Sequence, residues 1–532
     1  MRSLTLIPFC LLLAACPTEE NPIFCDEEAD CDVANGETCD LDGRFGPANV
    51  CVTLGEDCTV DACDPDSDAP ICDMVLTQCR ACMTGDSCPD GNICNPDSGR
   101  CEPAACDPVN NMCGSQAPVC GVGGQCTECV VGAGDADCAA HTEWPTPLPY
   151  CLDDGNGSTF CGECRDTDDC SDPAEVCNLD TNLCGPCTDH VQCASGACIS
   201  GACQLPEDIL YVDQLDQNAN DAGSCTALEP CASITPALTL IGGGDTRSVL
   251  VVRGDINVTY IEALDIAVSA TIIGEGANLM LPGASDNIPV VTVRSGAGVY
   301  LENMVIAGAD GMDGADGVNC SGDSELHLKR VRIADNRGQG VDVISCTLTL
   351  ERSYIGSNTR GGVQVQNSGF SIFSNYIVSN GNGFDNNFGG VLISNLGVMS
   401  PQLLDFNTIA RNQTPVAGLS TGLSCTAAVG SPMDGYGNII FEGLGADPVE
   451  LSNCMLHYSN VETTLAEGDG NINAQPDFAN PAQGNFHLLG PPGVDVDGLT
   501  CSNNCYDWDG DVRPDPTSGL ADMGADEFYP AP

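Results

Sequence analysis

Leu328-Lys329-Arg330-Val331-Arg332-Ile333-Ala334-Asp335-Asn336 recurs 22 residues later as Leu350-Glu351-Arg352-Ser353-Tyr354-Ile355-Gly356-Ser357-Asn358, and 22 later again as Ile372-Phe373-Ser374-Asn375-Tyr376-Ile377-Val378-Ser379-Asn380. A further copy, Leu404-Asp405-Phe406-Asn407-Thr408-Ile409-Ala410-Arg411-Asn412, follows after 32 residues. An insertion around Gly381 to Gly389 accounts for the longer step, because the pair Gly340-Val341 and Gly362-Val363 returns late as Gly390-Val391. Leu301 and Ile306 extend the columns backward. The apolar positions are spaced for short strands and not for amphipathic helices, so they form one interior column per strand.

Asparagine at a fixed corner, three residues after each isoleucine, completes the pattern. This is what a right-handed parallel β-helix needs: coils stacked at about 4.8 Å, with turn asparagines hydrogen-bonding up the column. A leucine-rich repeat has a similar period, but its dense leucine and asparagine consensus is missing. The expected fold class is therefore all-β, a β-helix over residues 205–470, with a closing segment over 471–532. Near its start, Ile209-Leu210-Tyr211-Val212 reads as a strand and Cys225 with Cys231 as the closure of a polar loop. Ser233 to Leu240 reads as a short helix that would cap the first coil.

Residues 17–204 are a different material. Twenty-eight of the 38 cysteines lie between Cys25 and Cys203 and group into seven tetrads with none left over. Each tetrad spans too few residues for an apolar core, so the even count predicts two disulfides per module in an oxidising compartment. Junctions such as Cys79-Arg80-Ala81-Cys82 and Cys184-Gly185-Pro186-Cys187 imitate zinc or redox motifs, yet neither a cysteine-histidine alternation nor a βαβ pattern surrounds them. Four cysteines allow three pairings, and spacing alone does not choose among them.

The chain begins with a single arginine, an apolar run from Leu4 to Leu13, and then Ala14-Ala15-Cys16. This reads as a secretory signal over residues 1–16, and no later stretch reaches the roughly 18 apolar residues of a membrane span. With 76 acidic against 16 basic residues the formal charge is -60, which argues against nucleic acid as a partner and either keeps a long rod soluble, the favoured reading, or recruits divalent cations such as calcium.

Leu13-Ala14-Ala15-Cys16 resembles the lipobox of bacterial lipoproteins, which implies acylation of Cys16 and a membrane partner through that anchor. Pro17, in place of the aspartate that retains such proteins at the inner membrane, implies the outer membrane. Over roughly residues 208 to 527 the chain resembles the pectate-lyase-like β-helix superfamily. The tail, Asp507-Trp508-Asp509-Gly510-Asp511-Val512-Arg513-Pro514 and Ala521-Asp522-Met523-Gly524-Ala525-Asp526-Glu527-Phe528, resembles the closing segment of β-helix surface proteins of Gram-negative bacteria. Asp507, Asp509 and Asp511 resemble the first ligands of a calcium loop, but no bidentate acid follows at the right distance and a turn is the favoured reading.

The superfamily's sugar-cleaving members imply paired carboxylates, or calcium-binding acids beside a basic residue. Neither set assembles here, and none of His141, His190, His327, His457 and His487 stands between glycines. No catalytic residue is assigned. The basic group Lys329, Arg330, Arg332, Arg337, Arg352 and Arg360 is the feature nearest to a lyase. In register, Lys329 falls between Glu302 and Glu351, Arg330 shares a column with Arg352, and Arg332 shares one with Tyr354 and Tyr376. Arg330, Arg332, Arg352, Tyr354 and Tyr376 thus form either a solvent-facing strip that binds acidic polysaccharide or plain stacked ladders. The expected protein is a non-enzymatic, lipid-anchored surface protein that meets polysaccharide or other surface proteins. The alternative is a divergent polysaccharide lyase or glycoside hydrolase.

Overall fold

The computed structural model describes residues 159–529 except 180, 255–257, 276–277, 281–286, 312–313, 382–387, 395–399, 427–432, 446–447, 463–467, 492, 495, 497, 500, 502–505 and 517, together with 148–153, Cys129, Cys138 and short strand pairs before them. The leader, its lipobox and Cys16 lie outside the described residues. The chain forms two compact units, Met1–Gly185 and Pro186–Pro532.

The second unit is built on a right-handed parallel β-helix of three sheets with ten, nine and eight strands. The first sheet runs from Ile209–Val212 to Met455–His457, the second from Thr259–Ile261 to Asn460–Val461, and the third from Leu264–Ile266 to Val449–Ser452. The sequence columns lie in vertical register: Leu301, Leu328, Leu350, Ile372 and Leu404 pair in turn in the first sheet, and Ile306, Ile333, Ile355, Ile377, Ile409 and Ile440 in the second. Val341, Val363 and Val391 pair in the third, so the coil absorbs its insertion without losing register. All of these side chains are buried in one continuous core, the main favourable term for such a stack.

The corners are satisfied by side-chain amides. Asn336, Asn358, Asn380 and Asn412 are buried, and each Nδ2 donates to the next Oδ1 at 3.0 Å. A second ladder, absent from the sequence reading, runs through Asn375, Asn407 and Asn438 at the opposite end of the second sheet, with amide contacts of 2.9 and 3.1 Å. Between the first and second sheets the backbone turns through the left-handed region at Arg330, Arg352, Ser374 and Phe406, with φ of 52°, 49°, 55° and 56°. Disulfides Cys320–Cys346 and Cys425–Cys454 staple neighbouring coils on the third sheet, and Cys225–Cys231 closes the expected polar loop. The helix Ile234–Gly242 turns Ile234, Ala237 and Leu238 into the first coil, while the Glu262 carboxylate accepts the free amides of Ile234 and Thr235.

Two segments cover the outside of the helix. The seventh cysteine module packs Ala197 with Ile209, Tyr211, Val249, Val251 and Ile273, which is why Ile209–Val212 and Val249–Val252 are buried on both faces. The C-terminal segment lies along the flank of the second sheet. There Phe478, Phe486, Leu488, Ala521, Met523 and Ala525 pack on Tyr376, Val378, Phe406, Ala410, Ile439 and Phe441.

The cysteine modules share one pairing wherever their bridges are described: first with third and second with fourth. The bonds are Cys129–Cys151 and Cys138–Cys161, Cys164–Cys177 and Cys170–Cys184, and Cys187–Cys198 and Cys193–Cys203. In the earlier modules antiparallel hairpins set the third and fourth cysteines opposite one another, as at Cys39 and Cys51, Cys72 and Cys79, Cys94 and Cys101, and Cys120 and Cys126.

Candidate functional site

The corner between the first and second sheets carries Arg330 and Arg352, and the outward column of the second sheet carries Arg332 and Tyr354. The left-handed corner aims the two arginines toward the groove between the seventh module and the C-terminal cover. A cleft of roughly 610 Å³ results, whose lining includes Asp189, Arg330, Arg332, Arg352, Tyr354, Trp508 and Asp509.

Each basic group is held differently. Arg330 donates to the Asp189 carboxylate, whose other oxygen accepts the Val191 amide and so caps the short helix His190–Gln192. Burial works against ionising Asp189, yet the hydrogen bond and charge of Arg330 hold its carboxyl below the usual range. Arg332 is exposed and places its guanidinium 4.2 Å from the Tyr354 ring centroid, a cation–π stack that fixes both groups. Arg352 is only 7 % exposed; burial and then the neighbouring Arg330 lower its pKa, and its Nε has no hydrogen-bond partner. Three arginines against two aspartates leave the cleft with a positive balance on a chain of formal charge -60.

The sequence expectation of one open strip is corrected here. Tyr376 does stand in register with Tyr354, but it is 3 % exposed, roofed by Phe486, His487 and Trp508 at centroid distances of 6.1, 6.0 and 5.1 Å. Tyr376 belongs to the interface beneath the C-terminal cover, and Arg352 to the floor of the cleft. Of the five strip residues, Arg332 and Tyr354 present the accessible platform, with Arg330 beside them. Glu302, Lys329 and Glu351 stand in register, and Lys329 pairs with Glu302, its Nζ 3.3 Å from Oε1, while Glu302 also meets His190 Nε2 at 3.0 Å.

The segment read as a possible calcium loop forms a turn organised by Asp507. Asp507 is wholly buried and its carboxylate accepts the amides of Gly510, Asp511 and Glu527 at 2.7, 2.8 and 3.0 Å. Asp509 turns instead to His487, and Asp511 does not join it. Sequence reasoning missed Asp189 and Trp508, which arrive at the cleft from distant segments. It also missed a second aromatic surface, where Tyr300 stacks on His327 at 4.0 Å above a groove of roughly 480 Å³ that includes Glu302, Lys329 and Ser200. Tyr300 and His327 each precede a column leucine by one residue, so the repeat register contained that signal.

Residues 290–429 match the family described as right handed beta helix region. No curated protein sequence matches the chain. Among solved structures the chain is similar to pectate lyase Pel9A, at 12 % identity over 60 % of this chain and 96 % of that one, with a TM-score of 0.40. The chain thus carries, over residues 290–429, the right-handed β-helix that its repeat, register and asparagine ladders define.

Proposed function

We propose that this chain is a lipid-anchored outer-membrane surface protein whose β-helix binds acidic polysaccharide, without cleaving it, in the cleft between the seventh cysteine module and the C-terminal cover. The observation that carries this reading is the Arg332–Tyr354 stack beside Arg330, an aromatic face and two guanidinium groups concentrated on an otherwise acidic molecule. Uronate carboxylates pair with guanidinium forks, and sugar rings lie on aromatic faces. The surrounding charge of -60 repels any polyanion that fails to reach the cleft, so it favours selectivity over adhesion of every acidic polymer. The lipobox around Cys16 and the disulfide-rich modules support anchoring and display outside the cytoplasm.

Affinity electrophoresis of the intact, leaderless protein through gels containing a polyuronate tests the binding. Retardation that weakens with salt, and that is lost in the double variant Arg332→Gln, Tyr354→Ala with its melting temperature preserved, is the expected result. Equal retardation of the variant defeats the assignment of the cleft. Appearance of unsaturated or shortened sugar products defeats the non-enzymatic reading and restores the lyase or hydrolase. Anchoring is read separately, by Cys16→Ser moving the protein from the membrane fraction to the soluble one.

A further inference from the structure

Under the C-terminal cover, at the edge of the arginine cleft, three segments bring metal-ligating atoms together. His487 comes from the strand Asn485–Leu488, Asp509 from the turn that Asp507 organises, and Asp526 from the last covered stretch. One ligand atom from each lies within 4.8 Å of the others, and His487 Nε2 is 2.9 Å from Asp509 Oδ2. Ligands at about 2.0–2.2 Å around a tetrahedral ion would stand roughly 3–4 Å apart, so small side-chain rotations suffice.

The His487 ring is held in place from its far side. Asn485 Oδ1 sits 2.7 Å from His487 Nδ1 and also accepts the His487 backbone amide at 3.2 Å. That amide can donate only to an oxygen, which fixes the Asn485 orientation and places a ring proton on Nδ1. Nε2 faces Asp509 Oδ2 at 2.9 Å, and an ion between the two would take the place of the Nε2 proton, with Asn485 as the outer-shell partner typical of metal-bound histidine. Asp526 is buried, and one of its oxygens accepts the Leu488 amide at 2.6 Å, which orients the group.

A second observation points to a missing ligand. The Tyr376 hydroxyl is buried without a hydrogen-bond partner, and among the charges that act on it Asp526 and then Asp509 have the largest effect. Its ring meets the His487 ring edge-on at a centroid distance of 6.0 Å, so Tyr376 stands beside the same cluster. A water bound to an ion there would supply the partner. The half-exposed Asp509 leaves the cluster an entry path from solvent.

We propose that His487 Nε2, Asp509 Oδ2 and an oxygen of Asp526 form a site for one divalent transition-metal ion, Zn²⁺ above all, with Tyr376 bonded to the ion's water. One nitrogen and two carboxylates suit zinc, whereas calcium takes six to eight oxygens. The ion would clamp the hairpin, the Asp507 turn and the closing stretch of the cover to one another. The site shares Asp509 with the lining of the cleft, and its test below uses the metal ions alone, so its outcome does not hang on polysaccharide binding.

Trp508, with its ring 5.8 Å from that of His487, is the reporter, and Trp144 is the second of the two tryptophans. In the intact disulfide-bonded chain carrying Trp144→Phe, after chelator treatment, Co²⁺ is expected to quench Trp508 saturably at micromolar concentration and Zn²⁺ to reverse it. His487→Ala and Asp526→Asn should each weaken this by at least roughly tenfold. Asp509→Asn, whose turn is held by Asp507, should do the same with the melting temperature of the metal-free protein unchanged. Asp511→Asn should leave it intact. Linear, unsaturated quenching, or saturable quenching equal in all four variants, overturns the site and leaves a plain His487–Asp509 ion pair.

Discussion

The Asn380 side chain holds four hydrogen bonds: its Nδ2 donates to Ile355 O and Asn412 Oδ1, and its Oδ1 accepts the backbone and side-chain amides of Asn358. Replacing it by alanine orphans buried groups on two neighbouring coils, each at a cost of about 1–3 kcal/mol. Asn380→Ala is therefore expected to lower the denaturant midpoint sharply, and Asn380→Asp to fail as a substitute because it lacks the donor. A midpoint shift no larger than that of a surface control would show that the ladder carries no net stability. Gly362 makes the complementary case, since a Cβ there would stand 2.5 Å from Gly390 O and 2.7 Å from Ile377 Cγ2. The first ladder was legible because its asparagine follows the repeat isoleucine by a constant three residues. The Asn375, Asn407, Asn438 ladder was not, because the earlier coils carry Val331 and Ser353 at that position and the column looks mixed until the coils are stacked.

At the scale of elements, the cover and the seventh module are where the sequence stopped being readable. The tail motif was recognisable, but its docking joins residues far apart, such as Tyr506 O with Ser374 Oγ and Ala525 N with Thr408 Oγ1. Local spacing has no access to such pairs. A weaker trace existed: Val378, Ile439 and Phe441 lie on a sheet whose outer face would otherwise be wet, and Ile209–Val212 is apolar at every position. The cover turns on Arg513, which is fully buried, donates to the carbonyls of Asp522 and Gly524, lies 4.4 Å over the Phe406 ring and faces Glu527 at 3.3 Å. Removing one member of such a buried pair costs about 3–5 kcal/mol because the other charge is left without compensation. Arg513→Ala is expected to release the C-terminal segment first, seen as rapid proteolysis after residue 478 and binding of an apolar dye while the β-helix persists. Simultaneous loss of both would mean that the cover and the helix fold as one unit. For the seventh module, replacing Cys193 and Cys203 by serine should cost about 2–5 kcal/mol and uncover Tyr211, Val251 and Ile273 to the same dye.

For the molecule as a whole, acid should strengthen the β-helix before it weakens it. Burial raises the pKa of Asp405 to about 6 and that of Glu450 to about 7, and burial with the nearby Asp342 raises Asp316 to about 7. Unfolded carboxyls titrate near 4, so between about pH 4 and 7 the folded chain binds protons that the unfolded chain has released. Stability then falls as pH rises through that window, and lowering pH from about 8 to about 5 should raise the melting temperature by several degrees. Below about pH 4 the opposite class takes over. Asp245, held near 2 by the Arg247 side-chain and backbone hydrogen bonds, and Asp189 and Asp265, held low beside Arg330 and Arg294, lose their pairs as they protonate. General relief of repulsion in a chain of charge -60 acts in the same direction as the buried carboxyls, so the two must be separated. Glu450→Gln does this: it keeps the acceptor for the Gly443 amide, removes a single charge from the total, and should flatten the rise between about pH 5 and 8 while lifting stability at pH 8. A surface control such as Glu207→Gln changes net charge equally and should leave the slope as it was. Equal slopes in the two variants would assign the acid strengthening to overall repulsion and not to carboxyls trapped against the coils.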